Sequence, residues 1–177
     1  SIELLGHKYN MPVIIGPTGL SGLFWPGGEL AIARAAASAG TGFCLSHGSV
    51  CTLEALAETQ AHPRWMQVFL YRDRPFTAEL VQRAIAANYD GIVLTIDNQL
   101  LGKRERDLAN GFTIPPEFSL RQYTDMLGKF KWWWRMRSEL SRITFGNYVR
   151  PGKAEDIKQL AARMAELLDP SLTWKDV

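Results

Sequence analysis

The residues best placed for chemistry are neutral hydrogen-bonding groups that recur at or just past the ends of short apolar runs: Gly16-Pro17-Thr18-Gly19, Ser46-His47-Gly48-Ser49, Gln67, Thr95 and Asp97-Asn98-Gln99. Taken singly, each reads as an ordinary satisfied polar residue or turn. Ser46, Gln67 and Thr95 in the same register on successive elements are harder to dismiss, since together they form an uncharged donor and acceptor set. Arg104 adds a group that can hold both oxygens of a carboxylate while staying protonated. Without further context the favoured reading is a solvated arginine within the charged run Lys103 to Asp107. His47 is a candidate base by type, although a supporting or structural role is the expectation.

The elements that must position these groups alternate. Apolar runs at Pro12 to Ile15, Gly42 to Leu45, Trp65 to Tyr71 and Gly91 to Asp97 read as strands. Glu29 to Ser38, a segment capped by Thr52 through Leu53, Ala55 and Leu56, and one preceded by Thr77 with Leu80, Val81, Ala84 and Ile85 on one face read as helices. Strands recur at intervals of roughly 25 to 30 residues, the length a parallel crossover through a helix requires. The class is α/β. A barrel and an open doubly wound sheet both fit, and the loop placement leans toward the barrel. No GxGxxG follows the first strand, so the dinucleotide fingerprint is missing.

The chain has 177 residues, 46% hydrophobic, and a net charge of +2, enough for one domain with a substantial core and no case for a polyanion partner. No transmembrane-length run or signal-peptide order is present, so a cytoplasmic location is expected. The first residue is Ser1 rather than Met, and a start that was removed or lies upstream is expected. Cys44 and Cys51 lack metal-ligand companions and read as free thiols, with no metal site implied. Charge is uneven. Arg121, Lys129, Lys131, Arg135, Arg137, Arg142, Arg150 and Lys153 surround Trp132, Trp133 and Trp134, against Asp125 and Glu139 only. This stretch, about residues 117 to 153, is longer than a compact barrel connection needs and reads as an insertion. Ala154 to Leu168 reads as an amphipathic packing helix.

Several ordered stretches resemble the FMN-dependent 2-hydroxy-acid dehydrogenase and oxidase family, which includes glycolate oxidase, lactate oxidase and mandelate dehydrogenase. They are Met11-Pro12-Val13-Ile14-Ile15-Gly16-Pro17-Thr18-Gly19, Gly28-Glu29 through Ala33-Arg34-Ala35-Ala36, Leu94-Thr95-Ile96-Asp97, Gly102-Lys103-Arg104-Glu105-Arg106-Asp107 leading to Ile114-Pro115-Pro116, and Ser171-Leu172-Thr173-Trp174-Lys175-Asp176. The resemblance implies a (β/α)8 barrel, of which this chain supplies about the first four βα units, and FMN as cofactor. It implies that Pro17, Thr18 and Gly19 lie beside the flavin N5 edge, that Ser46, Gln67 and Thr95 contact the isoalloxazine edge, and that Arg104 binds the substrate carboxylate. Glycine at Gly19, where oxidases of the family tend to have alanine, leans toward a dehydrogenase. Phe69 departs from the family, which has a tyrosine there with its hydroxyl near substrate; Tyr71 is an alternative source of that hydroxyl.

The family's base histidine, its fifth-strand lysine and its phosphate site belong to later strands, so the chain is expected to be the N-terminal half and to be inactive alone. A half-barrel leaves open strand edges, which predicts pairing with the C-terminal half. The implied partners are a small 2-hydroxy acid, that second half, and further copies in a tetramer, with no nucleic acid. By the same resemblance Lys131, Trp132, Trp133, Trp134 and Arg135 are expected to touch a membrane peripherally, on its inner face; tryptophans favour the interface and cations are drawn to anionic lipid. The alternative is a helix that packs its tryptophans on the barrel or a neighbouring subunit. A non-catalytic half-barrel acting as a membrane- or partner-binding module is the second functional reading.

Overall fold

A computed structural model of the chain describes residues 1–97, 105–110, 124, 127–140, 143–148, 169 and 171–176. An antiparallel hairpin opens it, β1 (Ile2–Leu4) with β2 (His7–Tyr9). Leu5 and Gly6 both take positive φ in its turn. Then come α1 (Ser21–Phe24), α2 (Gly28–Ala39), β3 (Phe43–Leu45), α3 (Leu53–Ala57), β4 (Arg64–Phe69), α4 (Arg74–Ala86) and β5 (Gly91–Thr95). Helices α5 (Glu105–Ala109) and α6 (Phe130–Met136) follow.

Strands β3, β4 and β5 form a parallel sheet in that order, each joined to the next through a helix. Parallel ladders need such crossovers, and the helices bury the face they cover. Ala33 and Ala36 of α2, Leu53 and Leu56 of α3, and Leu80 and Ala84 of α4 pack with Leu45, Met66 and Val68 of the sheet. Leu45, Leu80 and Met66 are fully buried, each contributing about 1.5–3 kcal/mol of transfer free energy. The outer strand β5 is less covered, with Ile92 at 40% exposure.

Two expectations need correction. The run Pro12 to Ile15 is not a regular strand: it makes a single parallel bridge, Ile15 with Phe43. The Ile15 N–H donates to Gly42 O at 3.0 Å and Ile15 O accepts from Cys44 N–H at 2.9 Å. Pro12 has no N–H to give, and the Val13 carbonyl is taken by the Thr41 hydroxyl, so the ladder stops after one rung. Helix α4 starts three residues before Thr77. Asp73 is its N-cap, accepting from Phe76 N–H at 3.1 Å, and Pro75 stands in the first turn. Thr77 Oγ1 accepts instead from Tyr71 N–H at 3.2 Å, bracing the end of β4. The other helix expectations fit α2 and α3, where Thr52 Oγ1 accepts from Ala55 N–H at 3.1 Å. Strands β4 and β5 end at Phe69 and Thr95, each two residues earlier than their apolar runs suggest. The expected helix at Ala154 to Leu168 lies outside the described residues.

Candidate functional site

Register decides which side chains share a face. Gln67 pairs with Val93 and Phe69 with Thr95, and paired residues of a parallel ladder point the same way, alternating along each strand. Met66 and Val68 pack into the helix-side core, so Gln67, Phe69 and Thr95 face the opposite side. Leu45 also belongs to the helix-side core, which turns Ser46 toward Gln67.

Hydrogen bonds join these groups into one arc along the C-terminal ends of the strands. Gln67 Nε2 donates to Thr95 Oγ1 at 2.8 Å. Gln67 Oε1 accepts from His47 backbone N–H at 3.2 Å and lies 2.7 Å from His47 Nδ1. Ser46 Oγ accepts from Gly48 N–H at 3.2 Å. The loop after Ile15 closes on the same place: Leu20 N–H donates to Gly48 O at 3.0 Å. A Cβ on Gly19 would stand 3.3 Å from Gly48 O and 3.8 Å from Ser46 Oγ, so the glycine lets two site loops approach. Pro17, Thr18 and Gly19 are exposed, while Ser46 and Gln67 are buried. The Thr18 carbonyl accepts from Ser21 Oγ at 3.3 Å, fixing the loop to the start of α1. Arg104 lies outside the described residues.

Behind the arc is a box of rings. His47 meets Phe69 edge-on, with centroids 4.2 Å apart, and Tyr148 at 5.7 Å. The Tyr71 hydroxyl is bonded to that of Tyr148, and burial followed by the neighbouring Tyr148 pushes the Tyr71 pKa up, so it stays protonated. Tyr71 is 1% exposed and closes the box. Burial pushes His47 down to about 4, against the opposing effect of its hydrogen bond to Gln67. It is a neutral, enclosed imidazole, in keeping with a structural role.

Sequence reasoning overlooked Asn147. It is 1% exposed; its Oδ1 accepts from Leu53 N–H at 2.8 Å, and its Nδ2 donates to Ser49 Oγ at 2.9 Å and His47 O at 3.4 Å. Gly146 N–H adds a bond to Ser49 O at 3.0 Å. Residues 143–148 thereby clamp the loop that carries Ser46 and His47. An asparagine after a glycine reads as a turn, and nothing local signals a tertiary contact some hundred residues away in sequence.

A second surface gathers exposed aromatics. Phe130 and Trp134, four apart on α6, stack with centroids 6.1 Å apart and are 69% and 59% exposed. Trp132 and Trp133 are half-buried, Lys131 and Arg135 exposed. The Arg135 guanidinium lies 4.5 Å over the ring of Trp25. Trp25 and its neighbour Phe24 are themselves exposed, so α1 and α6 present these rings together. Among the described residues no helix is long and apolar enough to cross a membrane.

A parallel sheet wrapped by its crossover helices, with the polar arc at the strand C-termini, is the architecture of an α/β barrel segment. The model of the FMN-dependent dehydrogenases matches residues 1–177, and the chain belongs to that family. It is 34% identical to L-lactate dehydrogenase of Alcaligenes faecalis, covering 100% of this chain and 47% of that one. It is 37% identical to glycolate oxidase of Spinacia oleracea, covering 98% and 42%. Among solved structures, the monotopic membrane protein (S)-mandelate dehydrogenase superposes with a TM-score of 0.90 at 34% identity, over 98% of this chain and 46% of that one. The chain thus spans a little under half the length of these relatives, as part of a (β/α)8 barrel.

Proposed function

We propose that this chain forms the FMN-facing half of an enzyme that oxidises an L-2-hydroxy acid, of mandelate or lactate type, to the 2-oxo acid. The observation that carries this reading is the uncharged arc: Gln67 bonded to Thr95, with the loops of Ser46 and Gly19 brought close beside them at the strand C-termini. The residues present fit the flavin. Neutral amide and hydroxyl groups match a ring edge of carbonyls and an N–H, and the exposed Pro17 to Gly19 backbone offers a surface against which a ring can lie. Bound FMN would supply an acceptor for the hydride equivalent leaving the substrate carbon.

Each residue then has a separate task. Ser46, Gln67 and Thr95 hold and orient the ring edge, the Pro17 to Gly19 backbone packs against it, and Arg104 receives the substrate carboxylate. Phe69, beside Thr95 in register, gives the substrate an apolar neighbour where the family has a hydroxyl. The hydroxyl proton needs a base of accessible pKa. His47 is excluded, since its Nε2 is enclosed and its Nδ1 engaged by Gln67. The base is assigned to a histidine on a later strand, in the C-terminal half that completes the barrel, and tetramer assembly follows the same family reasoning. The test is the visible absorbance of the purified full-length protein before and after anaerobic addition of racemic mandelate or lactate. A flavin spectrum that bleaches supports the proposal; a colourless protein that gains no flavin band with added FMN refutes it.

A second reading, compatible with the first, is peripheral membrane contact through residues 117 to 153. It is favoured by the exposed rings of Phe24, Trp25, Phe130 and Trp134, flanked by Lys131 and Arg135. Such a surface lies in the lipid interface, with cations toward anionic headgroups.

A further inference from the structure

The clearest unexplained group is His47, a histidine 7% exposed in a box of rings where an apolar residue would pack without polar atoms to satisfy. Its Nε2 is buried with no hydrogen-bond partner among the described residues. Leaving a buried polar atom unpaired is costly, so the imidazole must offer something that a leucine or phenylalanine does not. That something is at the other nitrogen.

Two contacts assign the amide and the imidazole. The backbone N–H of His47 points at Gln67 Oε1 at 3.2 Å; were the amide turned over, this N–H would face the NH2 group, donor against donor. Oε1 therefore faces His47, and Nε2 faces Thr95 Oγ1 at 2.8 Å. With an acceptor oxygen 2.7 Å away, His47 Nδ1 must carry its proton. The neutral ring then bears its lone pair on Nε2, the nitrogen enclosed by aromatic rings. Gln67, 3% exposed, is left with one of its two amide hydrogens engaged by Thr95 and the other unassigned among the described residues.

We infer that His47 is a positioning residue: its Nδ1–H, together with its backbone N–H, locks the Gln67 amide so that a fixed N–H donor faces the ring site at the barrel mouth. This rests on the flavin reading given above. A glutamine held from both ends has already lost its rotamer freedom, so ligand binding need not supply that ordering free energy. The ring stays in place because Tyr148 and Phe69 pack on it and Asn147 Nδ2 bonds its backbone carbonyl.

The test uses the full-length protein, with FMN affinity measured by quenching of flavin fluorescence on titration of the apoprotein, and the position of the bound flavin's visible band as a second readout. His47→Leu should weaken FMN binding about tenfold, the effect of one preorganised hydrogen bond. His47→Asn, which places an amide N–H near the Nδ1 position, should recover most of that loss. Gln67→Leu should shift the band as His47→Leu does, and the double variant should be no worse than Gln67→Leu. Wild-type affinity in His47→Leu, or additive losses in the double variant, would overturn the inference while leaving the flavin reading intact. Failure of the wild-type protein to bind FMN would overturn both. Nitrogen-15 NMR of the wild-type imidazole gives an answer that needs no variant to fold: a protonated Nδ1 with bare Nε2 supports the inference, and the opposite tautomer overturns it.

Discussion

Replacing Asn147 by alanine should unfasten the loop that carries the site. Three hydrogen bonds disappear together: Leu53 N–H to Oδ1 at 2.8 Å, and Nδ2 to Ser49 Oγ and His47 O at 2.9 and 3.4 Å. The Leu53 amide is a first-turn donor of α3, which has no partner within its own helix, and both Leu53 and Ser49 are 0% exposed. Water cannot easily replace the side chain. Stranding a buried N–H costs about 1–3 kcal/mol. The other two groups lose less, because Ser49 Oγ keeps its bond to Cys51 O at 2.7 Å and the His47 contact is long. The sum is about 3 kcal/mol, which lowers Tm by roughly 2–4 °C per kcal/mol in a folding unit of about 150–250 residues and by less in a whole barrel. Thermal unfolding followed by circular dichroism measures it, with Ser138→Ala as the control: Ser138 is exposed and its hydroxyl bonds Glu139 at 3.5 Å, so its loss should stay within about 0.5 kcal/mol. If Asn147→Ala melts together with Ser138→Ala, residues 143–148 are not a clamp and the reasoning fails.

Other outcomes follow from the same geometry. His47 has its folded pKa pushed down from 6.5 to about 4, so the unfolded chain binds the extra proton in that window; stability is complete above about pH 6.5 and falls by up to about 3 kcal/mol as pH drops to about 4. His47→Asn should flatten that limb of a Tm against pH plot, and superimposable plots would contradict it. Burial pushes Cys44 and Cys51 up to about 12, with Glu29 adding to the effect at Cys51, so neither thiol should react with a thiolate-directed disulfide reagent at pH 8 until denaturant is added; stoichiometric labelling of the native protein would refute it. Replacing Trp132, Trp133 and Trp134 by alanine should abolish co-sedimentation with anionic liposomes, and unchanged sedimentation would remove the membrane reading.

The α/β alternation was legible because hydrophobic period and cap residues are local properties: Thr52 does cap α3, and the alanine-rich run does form α2. The first apolar run failed as a strand because proline and a competing Thr41 hydroxyl intercept its ladder. Asp73 with Pro75 was a readable start signal for α4 that the more conspicuous apolar stripe after Thr77 obscured. The hairpin at Ile2–Leu4 and His7–Tyr9 had too short a pattern to register.

By residue type and order alone, the sequence determined the fold class, the family resemblance and the neutral character of Ser46, Gln67 and Thr95. Only the tertiary structure decided that a hydrogen bond joins Gln67 to Thr95, that Gly19 abuts the Ser46 loop, and that Tyr71 is spent on Tyr148. It alone placed Gln67 Oε1 against His47 Nδ1 and recruited Asn147. The physical reason is one of range. Propensity, capping and periodicity act over a few residues, whereas the direction of an amide or the enclosure of an imidazole is set by groups that reach it only after the strands have paired and the distant segment has docked.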